Sequence, residues 1–255
     1  MTGGLEVFSS SGPASHDLAF EAEMLERAVG GRCSLLTASW EGPVVVLGYA
    51  QPPADVDLKW CRSQGIPVLR RLSGGTGVIH RRDLSISLAL PREHPWAASI
   101  VGLYGRFLDV VQPALAAAGG RVERVAEPAH ATRVRSPICF EDQLADTLVV
   151  DGRKAVGCSQ ARRKDAVLIH AAVLVGLDAA LYARVFDVEA DRVAAGLAPA
   201  VPGADPAEVA AVVERGFAGG LDLGIRRSSR PRPSAGALEP YGLERWAPVR
   251  DGGIQ

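Results

Sequence analysis

The sequence lacks the cysteine and histidine spacings that are typical of a metal site. Its four cysteines (Cys33, Cys61, Cys139 and Cys158) form no Cys-x-x-Cys pair, and its five histidines show no His-x-x-x-His spacing. We therefore expect no bound metal. Cysteines without a pairing pattern favour free thiols in a reducing compartment, which predicts a cytoplasmic protein.

Long hydrophobic runs and an excess of charge are also missing. No apolar stretch reaches the roughly 18–20 residues that a membrane-spanning helix requires. The first residues do not have the basic and apolar pattern of a signal peptide. The net charge of −1 creates no overall field that would attract nucleic acid or a membrane surface. We expect partners of neither kind.

Apolar residues are abundant enough for one sizeable core, at 47% of 255 residues. Helix and strand patterns are interleaved, but a hairpin signal also occurs. The sequence therefore predicts an α/β (α+β) fold in which a mixed, mostly antiparallel sheet is flanked by helices.

Periodicity and turn residues predict the individual elements. Predicted helices cover 15–30, 97–118 and 205–217, and predicted strands cover 43–48, 66–72, 84–90 and 166–175. Pro113 predicts a kink or a break in the second helix. Asp151-Gly152 predicts a type I′ hairpin between 148–150 and 153–157. The basic, proline-rich segment 226–233 predicts a mobile linker.

Three segments carry residues suited to chemistry. Arg70 to His80 is rich in glycine and is either a plain turn or a ligand-binding loop, whose arginines could pair with a phosphate or carboxylate. Lys154 lies within a predicted strand, where an exposed edge position is more common than a charge directed at a ligand. Cys139 lies between Ile138 and Phe140, a setting that favours a buried small side chain over a nucleophile.

Together these segments resemble the biotin/lipoate protein ligase superfamily. Arg70 to His80 is similar to its Arg-Arg-x-Ser/Thr-Gly-Gly-x-x-Val-x-His loop, and Gly152 to Gln160 is similar to its Gly-Arg/Lys-Lys strand. Leu168-Ile169-His170 and Val45 to Gln51 resemble two further motifs. The resemblance covers about 15–220 and implies the superfamily's catalytic-domain fold. We expect 1–222 to form an acyltransferase- or ligase-like catalytic domain, with 223–255 as a linker and tail that packs on it.

Within the superfamily, Cys139 resembles the nucleophile of the cysteine-dependent octanoyltransferases of the lipoate pathway. The resemblance implies that Cys139 takes an octanoyl (or lipoyl) group from an acyl carrier protein thioester and passes it to a lysine. A thiol with the ordinary pKa of about 8.5 is mostly protonated at neutral pH. Lys154 would favour the thiolate and stabilise the oxyanion. Cys158 is a rival nucleophile, ranked lower because the family prefers serine there.

The resemblance implies that the remaining predicted site residues bind substrate. They are Arg70, Arg71, Ser73, Gly74, Gly75, Thr76, Gly77, His80, Gly157 and His170. A structural role is at least as favoured as proton transfer for His80, and is favoured for His170. The chain departs from the family pattern at Arg81-Arg82, where an acidic residue is usual, and at Ala171-Ala172, where Gly-Ser or Gly-Thr is usual.

The resemblance also implies the partners: an octanoyl-acyl carrier protein and a lipoyl domain, such as the glycine cleavage H protein or a dehydrogenase E2. Basic clusters fit docking of acidic carrier domains or are ordinary solvated charge. They are Arg70/Arg71/Arg81/Arg82, Arg121/Arg124/Arg133/Arg135 and Arg162/Arg163/Lys164. A monomer without cofactors is expected.

Three alternative functions remain open. The first is an ATP-dependent lipoate-protein ligase, which would require ATP and Mg, although the chain length leaves no room for the accessory domain of common ligases. The second is an amidotransferase that moves the acyl group between lipoyl domains. The third is a non-catalytic module that binds an acylated carrier.

Overall fold

The computed structural model describes residues 4–125, 136–138, 147–234 and 238. The predicted nucleophile Cys139 lies outside the described residues. So do Arg133 and Arg135 of the second basic cluster.

Twelve strands and six α-helices make up the described chain. The strands are β1 (Leu5–Ser10), β2 (Ser34–Ala38), β3 (Val44–Leu47), β4 (Val68–Arg70), β5 (Val78–His80), β6 (Asp83–Pro91), β7 (Glu123–Arg124), β8 (Leu148–Val150), β9 (Arg153–Lys154), β10 (Val156–Arg162), β11 (Ala166–Leu174) and β12 (Ile225–Arg227). The helices are α1 (Ala14–Val29), α2 (Leu58–Ser63), α3 (Ile100–Ala117), α4 (Ala179–Phe186), α5 (Ala190–Gly196) and α6 (Pro206–Leu221). All the predicted helices and strands are present with shifted ends.

The main sheet has six strands in the order β10-β11-β6-β2-β1-β12. The pairs β10/β11, β11/β6 and β6/β2 are antiparallel, whereas β2/β1 and β1/β12 are parallel. This confirms the predicted mixed, mostly antiparallel sheet. Two three-stranded sheets, β4-β3-β5 and β7-β8-β9, accompany it.

Period-two alternation gives the main sheet two different faces. We call one the packed face. On β6 and β11 it consists of Leu84, Ile86, Leu88, Leu90, Val167, Ile169, Ala171 and Val173, all in one core cluster with α3 and α6. We call the other the slot face. Its side chains on the same two strands include Ser85, Ser87, Ala89, Leu168, His170 and Ala172, and it is covered by α1 and by the sheet β4-β3-β5.

Helix α3 continues through Pro113, so the predicted break is wrong. A proline removes one main-chain hydrogen bond and crowds the preceding turn. Here the helix buries Leu103, Phe107 and Val111 against the packed face. That burial outweighs the local cost.

The predicted hairpin is confirmed. Asp151 and Gly152 have φ angles of 50° and 74°, the left-handed pair that a type I′ turn requires. The turn connects β8 to β9 and places Lys154 opposite Val149. The predicted start of α6 is also confirmed, because the Asp205 side chain accepts a hydrogen bond from the Ala207 N–H.

The prediction of a mobile linker at 226–233 is wrong for its first half. Residues 225–227 form β12, which pairs in parallel with β1. Arg227 and Arg230 form ion pairs with Glu214 and Asp17, at 2.7 Å each. The basic composition that suggested a solvated linker instead supplies partners for buried carboxylates.

No helix in the described part of the chain is long and apolar enough to cross a membrane.

Candidate active site

A narrow cavity lies between the slot face, α1 and the sheet β4-β3-β5. Its lining is Leu18, Glu21, Trp40, Val46, Arg71, Val78, His80, Ser85, Gly157, Cys158, Ser159, His170, Ala171 and Ala172. Of the predicted site residues, Arg71, His80, Gly157 and His170 border it.

Small residues on three adjacent strands create the floor of this cavity. Gly157 pairs with Ala172, and Ala172 pairs with Ser85. Cross-strand partners point to the same face, so these three side chains form one row with little bulk. Leu18, Val46 and Val78 face this row from α1, β3 and β5. The result is a mainly apolar slot, which we call the acyl slot.

The glycine loop, residues 73–77, is hydrogen-bonded to the slot-lining residues His170 and Ser159, and two buried arginines fix it. Arg70 donates to the carbonyls of Gly48, Tyr49 and Gln51 at 2.6–3.0 Å. Arg71 donates to the carbonyls of Gly74 and Thr76, at 2.7 and 3.0 Å. Both guanidinium groups therefore organise the main chain around the loop. Their predicted pairing with a substrate anion remains a prediction.

Close main-chain contacts explain why glycines are needed here. A Cβ atom on Gly48 would lie 2.0 Å from the Gly75 carbonyl oxygen, and one on Gly77 would lie 2.6 Å from the Phe186 ring. Gly75 has a φ of 88°, which favours glycine. A side chain at Gly48 would push its segment away from Gly75, and one at Gly77 would push the glycine loop away from Phe186.

A buried chain of hydrogen bonds links the loop to the sheet and to α1. Ser73 Oγ lies 2.5 Å from His170 Nε2, and His170 Nδ1 lies 3.1 Å from Glu21 Oε1. Arg71 can only donate, so Ser73 Oγ accepts from its Nε at 3.0 Å. In the neutral tautomer whose Nδ1–H donates to Glu21, His170 Nε2 accepts the Ser73 proton. Ser87 Oγ donates to the same carboxylate at 2.7 Å.

His80 belongs to a second polar group at the opposite wall. Its Nδ1 lies 2.6 Å from Asp83 Oδ2, and its ring contacts that of Trp40 with centroids 4.5 Å apart. Trp40 Nε1 donates to Asp17 Oδ2 at 2.7 Å. These contacts fix the orientation of the largest side chain that lines the acyl slot.

Lys154 is buried, with 7% of its surface exposed, so the interpretation of an exposed edge residue is wrong. Its carbonyl accepts from the Ala198 N–H at 3.1 Å, and its main chain forms a bridge with Leu197.

Ile138 is the last described residue before Cys139. It forms a bridge with Gly77 and packs in the same core cluster as Leu197. The residues next to the two predicted catalytic positions therefore meet in one region of the fold. The position of Cys139 itself is outside the described residues.

The structure resolves where the departures from the family pattern lie. Arg81 pairs with Asp178 at the surface, and Arg82 packs over Gly176. Ala171 belongs to the packed face, whereas Ala172 lies in the slot floor. Both border the cavity, but it is the Ala172 side chain that belongs to the slot floor, where a methyl group replaces the hydroxyl-bearing side chain usual in the family.

Cys158 borders the cavity, but its side chain packs with the cluster of the packed face, on the α3 side of the sheet. Its neighbour Gln160, on the same face, donates to the Ile100 carbonyl at 2.9 Å in α3. Ser159 points the other way and donates to the Gly74 carbonyl at 2.9 Å. The lower rank of Cys158 as a nucleophile agrees with this orientation.

Sequence reasoning missed Asp17, Glu21 and Trp40. Both acidic residues lie within the predicted helix 15–30, and they are only 1% and 3% exposed. Their four-residue spacing places them on the helix face that also carries Leu18 and Leu25. Charged residues inside an apolar stripe were the available signal, since such residues are rarely buried without a partner.

Comparisons with known proteins agree on the fold and family. The family model for the lipoyl protein ligase A/B catalytic domain matches residues 13–211. A solved lipoate-protein ligase A with bound ATP superposes with a TM-score of 0.73 at 23% identity, covering 94% of this chain and 92% of that one. A bi-partite lipoate protein ligase from Thermoplasma acidophilum gives a TM-score of 0.71 at 22% identity, with 94% and 89% covered. The expected catalytic-domain fold is confirmed.

Two curated relatives carry the name octanoyltransferase LipM. The protein of Geobacillus kaustophilus is 28% identical over 193 residues, which are 71% of this chain and 68% of that protein. The protein of Carboxydothermus hydrogenoformans is 30% identical over 168 residues, or 64% and 62%. The chain thus matches about two thirds of the length of these relatives.

Proposed function

Because the chain belongs to the lipoyl protein ligase A/B catalytic-domain family, we propose that it transfers an octanoyl group to a lysine of a lipoyl-type domain. The acyl slot is the observation that carries this proposal. Its floor of Gly157, Ala172 and Ser85 carries little side-chain bulk, and its walls, which include Trp40, are mainly apolar, which suits an unbranched chain. Each buried CH₂ group contributes about 0.8 kcal/mol, so a medium-length chain gains several kcal/mol.

Relatives named octanoyltransferase favour octanoyl over lipoyl as the transferred group. The donor in this proposal is a thioester of an acyl carrier protein. The acceptor is a lysine on a lipoyl domain, such as the glycine cleavage H protein or a dehydrogenase E2.

Cys139 is the proposed nucleophile. Its predecessor Ile138 lies beside Gly77 of the glycine loop, which supports a thiol close to that loop. Lys154 is the proposed cation that favours the thiolate, because a nearby positive charge stabilises it. Ile138, which precedes Cys139 in sequence, and Leu197, which forms a bridge with Lys154, belong to one core cluster.

The proposed reaction has two balanced steps. The Cys139 thiolate attacks the acyl carbonyl, a new C–S bond forms, and the carrier leaves as a thiolate. A neutral lysine amine then attacks this acyl-enzyme, an amide bond forms, and Cys139 leaves as a thiolate that takes up the proton lost by the amine. Exchange between two thioesters is nearly thermoneutral, which suits a cysteine nucleophile.

The glycine loop supplies a proposed oxyanion donor. In a trans peptide the N–H points opposite to the C=O. The Gly74 carbonyl faces Arg71, so the Gly75 N–H points away from that arginine. A main-chain donor held in this way could stabilise the tetrahedral oxyanion without reorganising.

The test is the intact mass of the protein after incubation with octanoyl-acyl carrier protein. We expect an octanoyl adduct that hydroxylamine removes, that Cys139→Ser abolishes and that Lys154→Ala strongly reduces. Cys158→Ser is the matched control and should still form the adduct, because its side chain faces α3. Transfer to a lipoyl domain should then proceed without ATP.

Other outcomes would replace the proposal. ATP-dependent labelling without an adduct would make the protein a lipoate ligase. An adduct formed only from an octanoylated lipoyl domain would make it an amidotransferase. Carrier binding without an adduct would make it a non-catalytic binding module.

A further inference from the structure

The chain after α6 returns to the acyl slot. We call residues 225–234 and 238 the C-terminal arm. The arm begins as β12 at the edge of the main sheet. Arg226 then pairs with Glu6, and Arg227 pairs with Glu214 at 2.7 Å. These contacts hold the start of the arm against the catalytic domain.

Arg230 extends this series of ion pairs into the interior. Its Nε lies 2.7 Å from Oδ1 of Asp17, and the two side chains are 14% and 1% exposed. The atoms are out of line for a hydrogen bond, so the contact is an ion pair. Burial raises the pKa of the Asp17 carboxyl, while Trp40 and Arg230 act in the opposite direction. Arg230 thus helps to keep Asp17 ionised in place.

Asp17 in turn contacts a residue of the slot wall. Its other oxygen, Oδ2, accepts a hydrogen bond from Trp40 Nε1 at 2.7 Å. Trp40 lines the acyl slot and contacts the His80 ring. A continuous path of contacts therefore runs from Arg230 through Asp17 to the slot wall.

A second contact reaches the same wall independently. Leu238 packs against the hydrophobic cluster that contains Leu18, Trp40 and Val46. All three of these residues line the acyl slot. The arm therefore supports the slot from outside by one ion pair and one apolar side chain.

We propose that the C-terminal arm sets the depth of the acyl slot, with Arg230 as a specificity-determining positioning residue that acts through Asp17 and Trp40. This inference rests on the proposed acyl transfer. Without Arg230, the buried Asp17 carboxylate loses its counter-charge and, when ionised, turns toward solvent. Trp40 then loses its fixed acceptor, and the wall can yield to a longer chain.

The test compares Arg230→Gln with the matched control Arg232→Gln, an exposed arginine two residues along the arm. Transfer rates are measured with carrier thioesters of eight and ten carbons. Two additional CH₂ groups in the slot correspond to about a tenfold gain in binding. We therefore expect the ten-to-eight rate ratio to rise about tenfold in Arg230→Gln and to stay at the wild-type value in Arg232→Gln.

A charge-neutral background provides the second test. Asparagine at position 17 retains an oxygen for Trp40 but needs no counter-charge. The Arg230→Gln change should therefore have almost no effect on the ratio in an Asp17→Asn protein. If Arg230→Gln does not fold, Leu238→Ala loosens the same wall without a buried charge, and its ratio should rise in the same direction.

An unchanged ten-to-eight ratio in both Arg230→Gln and Leu238→Ala, alongside lowered stability, would overturn the inference and leave the arm a purely stabilising element. Failure of the proposed function has a different signature, since the wild-type protein would then transfer no acyl group. In that case the melting temperature is measured with octanoic and decanoic acid. Arg230→Gln should raise the shift caused by decanoic acid relative to octanoic acid, and an equal pair of shifts would refute the inference.

Discussion

The two faces of the main sheet are built from the same strands but from different kinds of residue. On the packed face, Ile86, Leu88 and Ile169 interdigitate with α3 and α6. On the slot face, the alternate positions carry Ser85, His170 and Ala172. Large apolar residues fill one face, whereas the other face carries small and polar residues that line the cavity and bond to the glycine loop.

This difference indicates how the domain divides its tasks. The packed face gains most of its free energy from close packing of apolar area. The slot face gains less, because small side chains leave room and the buried polar groups must be matched by hydrogen bonds. Mutations should therefore affect stability on one face and acyl transfer on the other.

The largest effect on stability is expected from Ile169→Ala on the packed face. Removing a fully buried isoleucine leaves a cavity and costs about 2–5 kcal/mol of unfolding free energy. Urea unfolding measures this loss. The ratio of transfer rates for eight- and ten-carbon donors should not change in the protein that remains folded, and a changed ratio would mean that the faces are coupled.

Ala172→Leu tests the opposite face. The longer side chain would fill the floor of the acyl slot and displace about three CH₂ groups of a bound chain. We expect a loss of roughly 2–3 kcal/mol in transfer efficiency for octanoyl donors, measured as kcat/KM, with shorter donors less affected. Ala172→Ser, which restores the hydroxyl usual in the family, is the control and should transfer octanoyl groups nearly as well as the wild type.

His170→Ala is expected to lower both stability and the transfer rate, each by a smaller amount. It leaves Ser73 and the Glu21 carboxylate short of one partner each, which costs about 1–3 kcal/mol of stability. Because Ser73 begins the glycine loop, kcat should fall more than KM rises.

Ser87→Ala is the matched control for His170→Ala. It also removes a hydrogen bond from Glu21 but does not contact the loop. It should lower stability with little change in kcat. Equal losses of kcat in both variants would show that the effect is general destabilisation and not loop positioning.

Local signals were sufficient for much of the fold. The alternation in β6, the Asp-Gly turn and the Asp205 cap each depend on neighbours within a few residues. The strands β1, β2 and β12 were not predicted, because their parallel pairing joins segments that are far apart in sequence and carry weak alternation. The segment near Arg230 was predicted to be a mobile linker for the same reason, since Glu6 and Asp17, which pair with Arg226 and Arg230, lie at the other end of the sequence.

The site was predictable only where motifs are contiguous. The glycine loop, His170 and Gly157 were named from the sequence. The structure places His170 and Gly157 in the lining of one cavity, and Ser73 of the loop bonds to His170. Asp17, Glu21 and Trp40 come from α1 and the segment after β2, and no local pattern links them to the loop. The sequence did not predict that Arg70 and Arg71 are buried either. Their structural role depends on carbonyl groups that only the folded loop presents.

The smallest expected effect is a pH dependence of the unfolding free energy, which originates from Asp17 beside the slot face. Burial raises the pKa of this carboxyl above its ordinary value of 3.8. Its contribution to stability is therefore complete below that value and is lost as the pH rises through the pKa of the folded state.

Asp17→Asn removes this titration, so its unfolding free energy relative to the wild type should increase as the pH is raised from about 3.5 to about 7. In Arg230→Gln the loss should extend to higher pH, because the counter-charge that opposes the shift is gone. Urea unfolding across this range measures both trends. A wild-type protein that gains stability over Asp17→Asn as the pH rises would mean that the ion pair outweighs burial and that the carboxyl favours its ionised form in the folded state.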